Sequence, residues 1–165
     1  MVTLQKITLL DEEMNECIAL TIPEEKEKYV ESNAIRLSDG FEYSRRQIGA
    51  WECRAIYAGD KMVGLISYNY YTNDPIFKEV CYRIRPFSVD RDFVGLGYEQ
   101  AAVAALLDEV RKKPCGEAAA VLAAYHPDEE DMAELFESLG FTKTDLDWSA
   151  DDEEEREDVI VRLAI

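Results

Sequence analysis

Val89-Asp90-Arg91-Asp92-Phe93-Val94-Gly95-Leu96-Gly97-Tyr98-Glu99-Gln100 joins a strand-like run to a helix-like one through two closely spaced glycines. A turn of this kind presents unpaired backbone N–H groups at the positive end of a helix, a natural cradle for a pyrophosphate. By itself the signal is weak. A glycine pair before a helix serves structure as readily as function. The dinucleotide-binding fingerprint is also unmatched, because its third glycine and its distant acidic partner are missing.

Downstream, residues 98–113 read as a helix rich in Ala and Leu, ended by Pro114 and Gly116. Residues 118–125 are short, apolar and bounded by turns, which suits a strand buried on both faces. A helix over 127–139 stops at Gly140 as at a glycine cap, and strands at 141–147 and 157–164 close the chain. Upstream, residues 77–89 read as a strand interrupted at Pro86, where a missing N–H calls for a bulge or a locally unpaired position. Before it, residues 51–57 and 62–71 flank the turn Ala58-Gly59-Asp60-Lys61 as a hairpin. The N-terminal part reads as a strand over 2–8 and a helix capped by Asp11 carrying Met14, Cys17, Ile18 and Leu20. A second helix has Pro23 in its first turn, and a third covers about 34–46. With no internal repeat and no linker, the order predicts one α/β (α+β) domain over residues 1–165.

Length and composition agree with one domain with a real core. The formal charge is −17, from 18 basic and 35 acidic residues, which repels nucleic acid and anionic lipid. No apolar run is long enough to cross a bilayer, and the first residues lack the pattern of a secretory signal, so a soluble cytoplasmic protein is expected, with no nucleic-acid or membrane partner. Cys17, Cys53, Cys81 and Cys115 are widely spaced, with His126 the sole imidazole; reduced, buried thiols and no metal site are expected. Residues 145–158 hold nine acids and one base, Arg156, and read either as a solvated loop or as an electrostatic funnel for a cation.

The resemblance becomes specific when the second half is read together. Residues 89–102, VDRDFVGLGYEQAA, resemble the cofactor motif of the GNAT (Gcn5-related N-acetyltransferase) superfamily, and residues 126–141, HPDEEDMAELFESLGF, resemble its usual downstream partner. Upstream, residues 22–34 and 55–66 resemble the Blt-type spermine/spermidine acetyltransferases. This resemblance implies a mixed, mostly antiparallel sheet flanked by helices, whose central parallel strands, about 77–89 and 118–125, splay apart. It implies that the pantetheine arm of acetyl-CoA lies in that cleft like an added strand, held by backbone groups of Phe87, Ser88 and Val89. The N–H groups of Val94, Gly95, Leu96, Gly97, Tyr98 and Glu99 would then hold the pyrophosphate.

Departures from the family pattern bear on activity. The motif runs Gln or Arg, two residues, Gly, one residue, Gly or Ala; this chain has Val94, Gly97 and Glu99 at those positions. A carboxylate at Glu99 either occupies the positive end that a phosphate would use or caps the helix and points to solvent. Phe136 stands in the position of the usual proton-donating tyrosine, and Glu130 in that of a cofactor-contacting asparagine. Either other groups take over, with Tyr125, His126 and Tyr82 as candidates, or acetyl transfer is weakened or lost. Both His126, beside Pro127, as a turn residue and Tyr98 as a packing residue are open readings. Glu24 and Glu25 belong to the arm that in relatives closes over the acceptor, or simply begin a solvated helix.

The expected function is therefore acetyl-CoA-dependent N-acetylation of a small amine, a polyamine being the acceptor that the resemblance suggests. A weakened or inactive GNAT-fold binding module is the alternative. Homodimers are common among such relatives and are expected here.

Overall fold

Ala50–Ala58 (β2) and Lys61–Tyr71 (β3) form the hairpin that starts the sheet, with Gly59 at φ +63° in its turn. The computed structural model describes residues 1–7, 11–46, 50–74, 76–148 and 157–165. Val2–Lys6 (β1) adds antiparallel to β2, and Asp11–Ala19 (α1) and Asn33–Arg45 (α2) follow it in the chain. Cys81–Ile84 (β4) and Ser88–Val89 (β5) both pair with β3, and Tyr98–Val110 (α3) comes next. Ala120–Tyr125 (β6), Glu130–Ser138 (α4), Thr142–Lys143 (β7) and Val159–Ala164 (β8) complete a mixed sheet of order β1-β2-β3-β4-β6-β8-β7, with β5 beside β3. Only β4 and β6 run parallel.

Strand alternation divides the interior. Ile66 and Tyr68 of β3, Tyr82 and Ile84 of β4, and Val121 and Ala123 of β6 point to one face, where Ala102, Val103 and Leu106 of α3 and Met132 and Phe136 of α4 cover them. The opposite face is built in two parts. Cys17 and Leu37 from α1 and α2 pack on Ala55, Met62 and Leu65, whereas Phe77 and Trp148 pack on Cys81, Ala120, Leu122 and Ile160. Among the described residues these two parts form separate clusters.

The interruption at Pro86 has the expected effect. β4 ends at Ile84, the Arg85 N–H donates to Ser67 O at 2.9 Å, and pairing with β3 resumes at Ser88. Gly64 lies opposite Val89 and makes the resumption possible: a Cβ there would stand 2.9 Å from Ser88 O. At the end of α4, Gly140 takes φ +88° and the Phe141 N–H returns to Phe136 O at 3.0 Å, closing the glycine cap.

Several expectations need correction. The helix expected from Pro23 is only a single 3-10 turn, Glu24–Lys26, because Lys26 and Val30 are drawn inward and the segment becomes a strap rather than a two-sided helix. The strand expected from 77 begins at Cys81; Lys78 has φ +54°, which no strand continues through. The strand expected over 141–147 is two residues long. Residues 8–10, the Asp11 side chain and residues 149–156 of the acidic run lie outside the described residues.

Candidate functional site

β4 and β6 pair at Cys81 with Ala120, Tyr82 with Val121 and Arg83 with Leu122, and then part. Beyond Arg83 the chain of β4 follows β3, while β6 follows β8 to its end at Tyr125. Among the described residues no strand takes the other edge of β5. The resulting cleft has a volume of about 810 Å³, with Ile84, Arg85, Pro86 and Phe87 on one wall and Ala124, Tyr125 and His126 on the other. Met132 and Phe136 of α4 line one side, and Lys28, Tyr29 and Val30 of the strap lie across it.

At one end of the cleft the chain rises into α3 through Gly95 at φ +78° and Gly97 at φ +77°, conformations that side chains other than glycine rarely adopt. A Cβ at either glycine would meet nothing within 4 Å, so the approach to the first amides of α3 is open. Asp90 fixes this loop from below: its Oδ1 accepts from Asp92 N at 2.9 Å and its Oδ2 accepts from Thr21 N at 2.6 Å, which ties the strap to the loop.

A second cavity of about 290 Å³ beside α3 is lined by Val94, Glu99, Glu25, Lys26, Glu129 and Asp131. Lys26, 6% exposed, donates to Glu129 at 3.2 Å and to Asp131 at 2.6 Å. Burial works against its charge, but Asp131 and Glu129 outweigh burial and leave its pKa raised. Glu129 also accepts from the His126 N–H at 3.1 Å and so caps the turn into α4. The Glu99 carboxyl is pushed up, first by burial and then by Asp131 and Glu129, against the opposing pull of Lys26 and the Val89 amide. Glu99 is half-buried and lines this cavity.

The sequence candidates separate into those the cleft gathers and those it does not. Tyr125 lines the cleft with its ring stacked on Phe136 at 6.2 Å, and burial, with Glu137 adding, holds its phenol protonated beyond the usual range. His126 also lines it, stacked on Tyr29 at 5.2 Å; its Nδ1 accepts from Asp128 N at 3.2 Å, leaving Nε2 as the ring's other polar edge. Phe87 forms the wall, and Ser88 and Val89 are buried at the β5 edge, with Ser88 Oγ lacking a partner. Val94 and Leu96 are exposed on the loop, and Tyr98 packs on Phe93 at 6.3 Å. Tyr82 is a correction: its hydroxyl donates to Gly116 O at 2.9 Å and accepts from Cys115 N at 3.1 Å, so it pins a turn away from the cleft. Glu130 is exposed and lines neither cavity; its neighbours Glu129 and Asp131 do. Glu24 also lines neither, and Glu25 belongs to the smaller cavity.

Sequence reasoning missed the far mouth of the cleft. Arg83 and Arg85 line it together with Asp39 of α2 and Asp158. The Arg83 guanidinium lies over Trp148 at 4.5 Å and over Phe77 at 5.7 Å, and that of Arg85 lies over Trp51 at 4.7 Å. The signal was Arg83-Ile84-Arg85, a period-two pair that puts both guanidiniums on the face opposite α3 and α4. Lys26 and Tyr29 were missed because the strap was read as a helix.

Among the described residues, no group of three or more His, Cys, Asp and Glu side chains could hold a metal ion, and no helix is long and apolar enough to cross a membrane. The thiols of Cys17 and Cys81 are pushed by burial up to about 12.

The model of the acetyltransferase (GNAT) family matches residues 14–141. No curated protein sequence matches the chain. Among solved structures, the ribosomal-protein-S18-alanine N-acetyltransferase of Escherichia coli superposes with a TM-score of 0.67 at 18% identity, covering 100% of this chain and 94% of that one. The Bacillus subtilis acetyltransferase solved in complex with CoA gives 0.65 at 14% identity, covering 100% and 99%. A Salmonella typhimurium acetyl transferase that modifies the N-terminal serine of ribosomal protein L7/L12 gives 0.57 at 17% identity, covering 79% and 72%. At such identities the likeness is one of fold.

Proposed function

Since this chain belongs to the acetyltransferase (GNAT) family, whose cofactor is acetyl-CoA, we propose that it is an acetyl-CoA-dependent N-acetyltransferase acting on a primary amine. One observation carries this reading: β4 and β6 part after Arg83, leaving the β5 edge open beside the glycine-framed start of α3. An open edge takes an extended amide-bearing arm as it would take a strand. A helix start approached over Gly95 and Gly97 takes a phosphate.

The residues present fit the cofactor along the arm and fit it less well at the phosphates. Phe87, Ser88 and Val89 offer a free strand edge and a buried hydroxyl without a partner, whereas Glu99 sets a carboxylate beside the cradle. When bound, acetyl-CoA supplies the acetyl group as a thioester; the net change is ammonium plus thioester to acetamide, free thiol and one released proton. The protein's part is to hold both partners in one cleft and to move protons. Tyr125, protonated and with no hydrogen bond to its hydroxyl among the described residues, is the group to donate to a departing thiolate. Stacked on Phe136, it supplies the phenol that position 136 lacks. His126, with Asp128 at its Nδ1, is the group to relay the ammonium proton.

Calorimetric titration with acetyl-CoA, followed by a thiol-release assay over a panel of amines, tests the proposal. Saturable binding and turnover are expected; no binding at millimolar cofactor would leave the cleft to another ligand. That outcome is the second reading, a GNAT-fold binding module, and the excess of carboxylates, Glu99, Glu129 and Asp131 among them, over lysines in the cavity beside α3 is what favours it. For the acceptor, the polyamine suggested by the resemblance draws on Asp39 and Asp158 in the cleft. A protein N-terminus, as in two of the structural neighbours, is tested by the same panel with short peptides. Gel filtration with light scattering tests the homodimer, and the single-domain reading of residues 1–165 is tested by limited proteolysis.

A further inference from the structure

The far mouth of the cleft brings two guanidiniums together in an acidic protein. With 35 acidic residues against 18 basic ones, guanidiniums here generally find a carboxylate: Arg54 has Glu109 and Glu52, Arg162 has Glu79, Arg45 and Arg46 share Glu42. Arg85 does not. Among the described residues no carboxylate pairs with it, and its half-buried side chain sets the guanidinium over Trp51, 4.7 Å from the ring centre, at the cleft wall. Arg36 of α2, 6% exposed, is likewise held by neutral groups alone, Asn33 Oδ1 at 3.1 Å and Leu65 O at 2.8 Å. Burial lowers its pKa to about 10, and the charge of Arg85 nearby adds to that effect. Two neighbouring cations that are not paired with a carboxylate gain from a negative group that visits them.

The sheet beneath them carries polar atoms that also lack partners. Trp51 and Asn69 are cross-strand neighbours on β2 and β3, and Ser67 pairs through its carbonyl with the Arg85 amide. Asn69 and Ser67 are each 1% exposed, and Asn69 Oδ1, Ser67 Oγ and Trp51 Nε1 have no hydrogen-bond partner among the described residues. Buried polar groups are normally satisfied, so a row of orphans under two cleft-lining arginines marks a surface completed by a ligand. Arg on an aromatic plate presents a fixed fork that matches a carboxylate. Asp39 and Asp158 line the same mouth and give the countercharge for an ammonium.

Resting on the transferase reading, we propose that the acceptor is an amine that also carries a carboxylate, bound through Arg85 on the sheet face opposite α3 and α4. Free amino acids and acidic peptide ends share this chemistry. A polycation does not.

The test is a thiol-release assay with matched acceptors: γ-aminobutyrate against butylamine, glutamate against cadaverine and spermidine, and a short peptide beginning with Glu against its Gln counterpart. The carboxylated member of each responding pair is expected to lead in kcat/KM by about tenfold or more, as for loss of a charge-assisted hydrogen bond. Arg85→Gln should abolish the preference by raising KM for the acceptor, Arg85→Lys should restore part of it, and the KM for acetyl-CoA should stay put in both. Which pairs respond identifies the source, free amino acid or peptide. Preference for the carboxylate-free amines, or a preference that Arg85→Gln leaves unchanged, overturns the proposal. If no amine is acetylated, thermal-shift titration with glutarate decides: saturable stabilisation that Arg85→Gln removes upholds the carboxylate site while the transferase reading fails, and no such stabilisation overturns it.

Discussion

Replacing Glu99 by Gln keeps the shape of the side chain and removes its charge from the cradle. The cavity beside α3 sets Glu25, Glu99, Asp128, Glu129 and Asp131 against Lys26 and Lys28, so the ionised site carries an excess of three negative charges before any phosphate arrives. For a phosphate about 6 Å from the Glu99 carboxylate, the repulsion per unit charge pair is about 0.7 kcal/mol in bulk water and about 2.8 kcal/mol at the dielectric of a protein surface. Glu99 is half-buried, so a value near the middle, about 1.4 kcal/mol or tenfold in affinity, is expected for Glu99→Gln. Calorimetric titration with CoA measures it. The pH dependence gives a second sign. Burial raises the Glu99 pKa in the folded protein, so the carboxyl binds its proton more readily folded than unfolded. Stability is therefore lost as pH rises from the ordinary Glu range through the raised value, and the penalty is fully present above that value. Glu99→Gln should remove this penalty, raising Tm at neutral pH, and should flatten the improvement in CoA affinity that the parent protein shows on mild acidification. Equal or weaker CoA binding by the variant, with the same pH dependence as the parent, would show that no phosphate comes near this carboxylate and would remove the cradle from the site.

Tyr125→Phe keeps the stack on Phe136 and removes the proposed proton donor; kcat in the thiol-release assay should fall about a hundredfold with CoA affinity unchanged, and an unaltered kcat would clear Tyr125 of the role. Gly64→Ala puts a Cβ 2.9 Å from Ser88 O, so β5 must shift; denaturant melts should show a loss of about 1–3 kcal/mol, and CoA binding should weaken with it. Lys26→Met leaves Glu129 buried without its cation and frees the strap from α4; stability should drop by about 1–3 kcal/mol, less than for a fully buried pair because Asp131 is exposed, and proteolysis between α1 and α2 should accelerate.

Much of the fold was legible because its signals are local. The hairpin about Gly59, the break at Pro86, the glycines before α3 and the cap at Gly140 each follow from backbone chemistry within a few residues. What the sequence concealed depends on contacts far apart in the chain. Lys26 meets Glu129 across 103 positions, and nothing in Pro23-Glu-Glu-Lys discloses that its lysine is internal, so a helix start was the natural reading of what is a strap. Tyr82 looked free beside a cleft strand, yet strand alternation turns it to the α3 face, where the 115–116 turn claims its hydroxyl. Glu130 was chosen over Glu129 and Asp131 by alignment to a pattern, and one residue of shift on a helix start exchanges an inward side chain for an exposed one. The arginine pair was visible as Arg83-Ile84-Arg85, but its meaning requires knowing that no carboxylate reaches Arg85.

These concealed residues distribute charge across the cleft in a way that net charge alone misdirects. A formal −17 points to cationic acceptors, but the cavity beside α3 is lined mostly by carboxylates, whereas the far mouth of the cleft sets Arg83 and Arg85 beside Asp39 and Asp158. On the proposed reading, Lys26 in the cavity beside α3 can serve an incoming phosphate only by loosening its hold on Asp131, which lies at the surface and is readily rehydrated. Glu129 has a second bond, from the His126 amide, and stays in place. Carrier binding and the hold of the strap on α4 are then coupled through a single ammonium group, so cofactor should protect residues 21–31 less at Lys26 than at Tyr29, which stacks on His126 at the cleft itself. Amide exchange measured with and without CoA resolves the two ends of the strap; uniform protection along it would mean that Lys26 keeps both carboxylates and that the phosphates are held by the α3 amides alone.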